Sequence, residues 1–291
     1  MKFDYKASEK DFKIIEESIK IVYSPKLNYI FKDNKILDKV YIISFDSKFI
    51  YIWTKKKIHG FEPIHRKSTN YYFYKINHNL YIKGSDRMGW RAGVWLNEIN
   101  DLLPVALRKN DFAAPKICGS LLEDFIDNQI KIKGEKNNPY ITKESYLATI
   151  VHEFGHVYYQ RHKNWWFSDK YKNLQLLENA LDLYKEVNKK INAENAEIEI
   201  PQPFLFSEVF AFCCEYEASQ IFFPNHKKEL DKFAMKIIEE SVKEEKQKNL
   251  DGEDSILSDK TSHKAAFVLG KILIEKYPKT WPKELLKKSL F

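Results

Sequence analysis

"TIVHEFGHVYYQRH", residues 149–162, puts three of the chain's eight histidines within eleven positions. His152 and His156 are four apart, so on a helix they stand one turn above the other on a single face. That spacing lets two imidazoles share one tetrahedral zinc ion, with Glu153 beside them to take a proton from the attacking water. At about 100° per residue, Leu147, Ile150, Val151, Phe154, Val157 and Tyr158 fall within about a 120° arc on the side away from His152. The histidine face carries Ser145, Ala148, Thr149 and Gly155, which are small. The pattern predicts a helix over residues 142–161, buried on one side, with an uncrowded metal-binding face at the floor of a cleft.

"HEFGH" on such a helix resembles the zincin metallopeptidases. The resemblance implies His152 and His156 as metal ligands, Glu153 as general base, and one Zn2+ ion as cofactor. Two residues compete to be the third protein ligand. The first is Glu208 in "FLFSEVFAFCCEYEAS", 52 residues past His156. Ser207 is a candidate N-cap for a helix beginning at Glu208. On that helix Glu208, Phe212, Glu215 and Ser219 share a face, with Phe210, Cys214 and Ile221 opposite. "EVFA" is similar to the second ligand helix of the gluzincin type, whose lethal-factor-like branch pairs "HEFGH" with an acidic "FA" helix. Phe212 departs from that pattern, because some gluzincins carry an acid there that orients a ligand histidine. Glu215 is the candidate for that role, or for the ligand itself.

The second competitor is His162, which gives the H-E-x-x-H-x-x-x-x-x-H spacing of metzincins. Those proteins turn sharply at a glycine, where this chain has Tyr159. A helix continuing without a turn would carry His162 about 9 Å beyond His156. Met235 sits in a charged amphipathic stretch and makes no persuasive Met-turn. "HKNWWF" is closer to the SprT-like and WLM-like proteases, which are linked to cleavage of proteins on DNA. Otherwise His162, between Arg161 and Lys163, reads as a cationic helix end. In "TSHKAAFVLGKILIEKY", His263 is by resemblance a candidate to hydrogen-bond the oxyanion of a tetrahedral intermediate. A capped helix start with a surface histidine is the plain alternative. Cys213 and Cys214 are adjacent, point about 100° apart on a helix, and read as core.

The chain's 291 residues, 44% hydrophobic and 15% aromatic, suit a packed fold with a sizeable core. Its net charge of +7 raises the question of nucleic acid. Only five of the 48 basic residues are arginine, however: Arg66, Arg87, Arg91, Arg108 and Arg161. Arginine is the usual reader of phosphate and guanine. The lysines alternate with acids, as in "KKELDKF", so most belong to solvated helix faces. Charge therefore argues against a nucleic-acid partner without excluding one.

Three cysteines, no apolar leader and no apolar run long enough for a bilayer predict a cytoplasmic chain, with export by a signal-less route left open. "SEKDFKIIEESIKIVY" reads as a helix with Phe12, Ile15, Ile19 and Val22 on one stripe and Ser8 as N-cap. "KVYIISF", "KFIYIWTK", "YYFYKI" and "LYIKG" read as strands. "AGVWLNEINDLLPVAL", "GSLLEDFIDNQI", "LQLLENALDLYKEVNKKI", "KKELDKFAMKIIEESVKEEKQK" and "KAAFVLGKILIEKY" read as helices. The expected fold class is α+β and zincin-like: a mixed region over residues 1–135 and a helical catalytic region over 136–291. The expected activity is zinc-dependent peptide hydrolysis by His152, His156, Glu208 and Glu153 on a peptide or protein substrate that adds as a strand. The rivals are a SprT- or WLM-like protease using His162, an injected or secreted effector with a lethal-factor-like domain, and a non-catalytic module stabilised by zinc.

Overall fold

The apolar stripe of "SEKDFKIIEESIKIVY" folds as helix α1 (Glu9–Val22), and Phe12, Ile15, Ile19 and Val22 are all buried. Ser8 opens the helix by donating both its N–H and its hydroxyl to the carboxylate of Asp11, at 2.8 and 2.6 Å. In the computed structural model, which describes residues 6–77, 92–94, 116–119, 142–163, 204–236 and 259–287, helices and strands are mixed. Two compact units divide the chain, Met1–Tyr158 and Tyr159–Phe291. The boundary expected at residue 135 lies outside the described residues, as do "LYIKG" and "LQLLENALDLYKEVNKKI".

The first unit is built on a sheet of strand order β3-β2-β1-β5-β4. The strands are β1 (Tyr41–Phe45), β2 (Phe49–Thr54), β3 (Tyr72–Asn77), β4 (Ala92–Val94) and β5 (Lys116–Gly119). β1, β2 and β3 form an antiparallel meander, β5 runs parallel to β1, and β4 is antiparallel to β5. Asp46 sets the β1–β2 turn, since its buried carboxylate accepts the N–H groups of Lys48 and Phe49, the Tyr51 hydroxyl and the N–H of Ala7. Phe12 packs its ring on Tyr51, Trp53 and Phe73, which seats α1 on one face of the meander. Glu16, on the same helix, is buried and accepts from Trp53 Nε1, Arg66 and the Ser68 hydroxyl, so its charge is matched.

"AGVWLNEINDLLPVAL" departs from its expected helix at its start, because Ala92–Val94 is a strand paired with Ile117–Gly119. Gly93 is poorly suited to a helix interior, and ladder hydrogen bonds from β5 outweigh weak local preference. The remainder of that stretch, and "GSLLEDFIDNQI" after Gly119, lie outside the described residues.

Helix α2 (Lys143–Lys163) carries the "HEFGH" motif. The second unit contains α3 (Phe204–Phe222), α4 (224–236), α5 (Asp259–Lys276) and α6 (Trp281–Lys287). α3 begins at Phe204 rather than Glu208, so Ser207 lies inside the helix as a buried residue instead of capping it. α5 and α6 both pack on α3. α5 approaches closely at Gly270, where an added Cβ would stand 3.2 Å from Phe212 Cβ and 3.4 Å from the carbonyl oxygen of Val209. Phe267, one turn earlier on α5, meets the rings of Phe212 and Tyr216. Among the described residues, no helix is long and apolar enough to cross a membrane.

The Gly270 contact makes a size series informative. Gly270→Ala gains about 1 kcal/mol of helix propensity, which offsets most of the cost of one crowded methyl. Gly270→Val forces two further methyls against helix backbone and should cost about 2–3 kcal/mol. Thermal unfolding followed by circular dichroism should therefore place the alanine variant near wild type and the valine variant several degrees below it.

Candidate metal centre

Thr142 starts α2 with a reciprocal cap. Its hydroxyl accepts the Ser145 N–H at 3.1 Å, and its own N–H donates to Ser145 Oγ at 3.2 Å. From that start the helix runs unbroken to Lys163, which fixes the angular position of every later side chain. Tyr158 anchors the side away from the histidines. Its ring lies edge-on to Phe31, with centroids 5.2 Å apart, and its hydroxyl accepts the Asp33 N–H at 3.2 Å. Beyond it, Tyr159 packs on Phe210 of α3 with centroids 5.4 Å apart.

His152 and His156 meet as their spacing predicts: the Nε2 atoms are 3.1 Å apart and the rings are tilted by 73°. Two Nε2–H groups cannot face each other at that distance, so at least one ring presents a lone pair inward. Two nitrogens bound to one zinc at about 2.0–2.1 Å in tetrahedral geometry stand about 3.3 Å apart. The observed gap is within a few tenths of an ångström of that value.

Glu208 completes the group. Each of His152, His156 and Glu208 offers one ligand atom, and these atoms all lie within 4.8 Å of one another. The three side chains are 7, 7 and 4% exposed. Two neutral nitrogens and one anionic oxygen, all buried, are the donor set of a divalent ion, which offsets the buried carboxylate charge. The residues present fit a metal ion, and the group can hold one.

Glu153, one residue from His152, is 6% exposed. The expected open face does not appear. α2 is buried around nearly its whole circumference between Ser145 and Tyr159, and Thr149 is the partly exposed position on the histidine side. Tyr159 falls about 20° from His152 on the helical wheel, and so closes that face one turn beyond His156.

His162 is exposed in the last turn of α2, six residues and about 9 Å along the axis from His156. The helix does not turn at Tyr159 to bring it back. Glu215 is buried two turns beyond Glu208. His263 belongs to α5, seven residues before Gly270, and its side chain lies outside the described residues. Cys213 and Cys214 are buried free thiols, and Cys213 Sγ donates to the Gly270 carbonyl at 3.5 Å. Burial pushes both thiols well above their ordinary pKa, so neither is a ready thiolate ligand. Trp281 was not singled out by the sequence, since a lone tryptophan near a short amphipathic helix carries no site signal, yet its indole reaches α3.

The donor set predicts one Zn2+ or Co2+ ion bound per chain by elemental analysis after dialysis. Glu208→Ala should lose the ion and remain folded, whereas His162→Ala should retain it. Loss with His162→Ala instead would remove Glu208 from the set. A second expectation concerns alkaline stability. Because burial raises both thiol pKa values in the folded chain, their contribution is intact below the unfolded thiol value of about 8.5 and is lost as pH rises past it. Urea midpoints measured from pH 7.5 to 9.5 should fall, and Cys213→Ala/Cys214→Ala should flatten that slope. No family model matches the chain, and neither a curated protein nor a solved structure does, so the assignment of this centre rests on its side chains.

Proposed function

We propose that the chain is a zinc metallopeptidase of zincin-like fold, gluzincin in its third ligand, acting on a peptide or protein substrate. The observation that supports this most is the buried His152–His156–Glu208 group with Glu153 immediately beside a ligand histidine. Zinc bound there would supply a Lewis acid and a nucleophilic water at neutral pH. The chain's own residues do the rest. His152 and His156 present neutral nitrogens, and Glu208 supplies the anion. Glu153, left out of the ligand group, takes the proton of the attacking water on its carboxylate and returns it to the departing amine nitrogen.

Burial of all four side chains also favours a second reading, a module that zinc stabilises without catalysis. The two readings part at Glu153. In a peptidase, Glu153→Gln keeps the metal and removes the proton acceptor, so hydrolysis should fall by about 10²–10⁴-fold. In a non-catalytic module the same change leaves function untouched. The test is an unbiased peptide library digested by the zinc-loaded chain and read by mass spectrometry, with and without DNA. Cleavage by wild type and its loss in Glu153→Gln establish the peptidase. A zinc-loaded wild type that cleaves nothing overturns it.

A further inference from the structure

We infer that Trp281 is a positioning residue for the metal centre: it clamps the back of α3 and so fixes the rotation that presents Glu208. The inference rests on reading His152, His156 and Glu208 as metal ligands. At about 100° per residue, Phe210 and Glu217 lie about 180–200° around α3 from Glu208. Trp281 holds both. Its ring meets Phe210 edge-on at 5.1 Å between centroids, and its Nε1–H donates to Glu217 Oε1 at 3.1 Å. Trp281 and Glu217 are both buried.

The two contacts differ in kind. A ring contact tolerates sliding, but a hydrogen bond to a buried carboxylate is directional and costly to leave unmade. The carboxylate of Glu208 stands about 6 Å from the helix axis, so a rotation of α3 by about 10° would carry it about 1 Å. Metal–ligand distances tolerate only about 0.2 Å. α5 grips α3 about a quarter-turn from Glu208, at Val209, Cys213 and Tyr216. On the far face Phe210 also meets the ring of Tyr159, but Glu217 is held there by Trp281 through a directional hydrogen bond.

The approach to Trp281 is itself constrained. After α5, Thr280 and Trp281 both donate their N–H to the Tyr277 carbonyl, at 3.1 and 3.0 Å. Lys279 takes a left-handed φ of 59° there, a conformation that a lysine holds only where its surroundings impose it.

Five proteins test the clamp: wild type, Trp281→Phe, Glu217→Leu, Glu217→Gln and the combined Trp281→Phe and Glu217→Leu variant. Each is full-length and held far below its melting temperature, so that global stability does not enter. The readouts are the Zn2+ dissociation constant by chelator competition and the visible absorption of the Co2+-loaded form, which reports coordination geometry. Trp281→Phe keeps a ring on Phe210 but loses the donor, and should weaken Zn2+ binding about 10–100-fold and alter the Co2+ spectrum. Glu217→Leu should do the same. Glu217→Gln still accepts the indole N–H and should stay within about threefold of wild type. Combining Trp281→Phe with Glu217→Leu should be no worse than either alone, because both remove one interaction. Lower melting temperatures with unchanged Zn2+ affinity and Co2+ spectrum would make Trp281 a packing residue only and overturn the inference. Tight zinc binding without peptide cleavage would overturn the peptidase and leave the clamp standing.

Discussion

A helix buried around nearly its whole circumference between Ser145 and Tyr159, carrying His152, Glu153 and His156 within five positions, sets the terms for the rest of the molecule. Ionisable groups out of water cost several kcal/mol each unless opposite charge or hydrogen bonds meet them. α2 therefore cannot slide or turn by one residue without exposing that cost. Its fixings follow from this. The Thr142–Ser145 cap sets where the helix begins. Tyr158 ties the far side to Phe31 and Asp33, and Tyr159 packs on Phe210. With its start capped and both faces held, two imidazole nitrogens come to rest 3.1 Å apart.

α3 meets the same demand differently. Its sequence is so uniformly apolar that no single stripe stands out, as befits a helix buried all round. Three acids nonetheless occur along it, and all are buried: Glu208, Glu215 and Glu217. The wheel separates them. Glu208 and Glu215 share one face, and Glu217 points the opposite way, to the indole of Trp281. The face between them belongs to α5, whose Gly270 allows backbone to approach backbone. The angular order of residues on α3 thus specifies where each charge goes.

Much of this was legible in the sequence. The stripe of α1, the β1–β2 hairpin and the four-residue histidine spacing are local patterns, and local patterns survive into the fold because the residues that make them are also the residues that touch. Glu208 was readable because an acid within an apolar run demands a reason. Features that depend on distant partners were less so. β5 pairs with β1 across more than 70 residues of chain, and β4 is three residues long with a glycine at its centre. Neither has enough alternation to announce a strand. Ser207 looked like a cap because serine caps helices, but the helix had already begun at Phe204. Tyr159 stands where a metzincin-type turn would place a glycine. Its wheel angle, which puts a bulky ring on the histidine face, was equally available.

The burial of the centre stands in tension with the proposed catalysis, and the donor types bear on that tension. Structural zinc sites close their shell with four protein ligands, commonly rich in cysteine, whereas catalytic sites keep three and leave the fourth position to water. α3 has two cysteines within six residues of Glu208, close enough in sequence to have closed the shell. Their angles forbid it, since Cys213 and Cys214 lie about 140° and 240° around the helix from Glu208. Cys213 is turned to the carbonyl of Gly270. Among the described residues the group therefore stops at three donors. Beside it stands Glu153, buried and outside that group, the residue at which the proposed peptidase and a purely structural site differ. On the proposed peptidase reading, these three donors would hold the ion and Glu153 would take the proton of the water it binds.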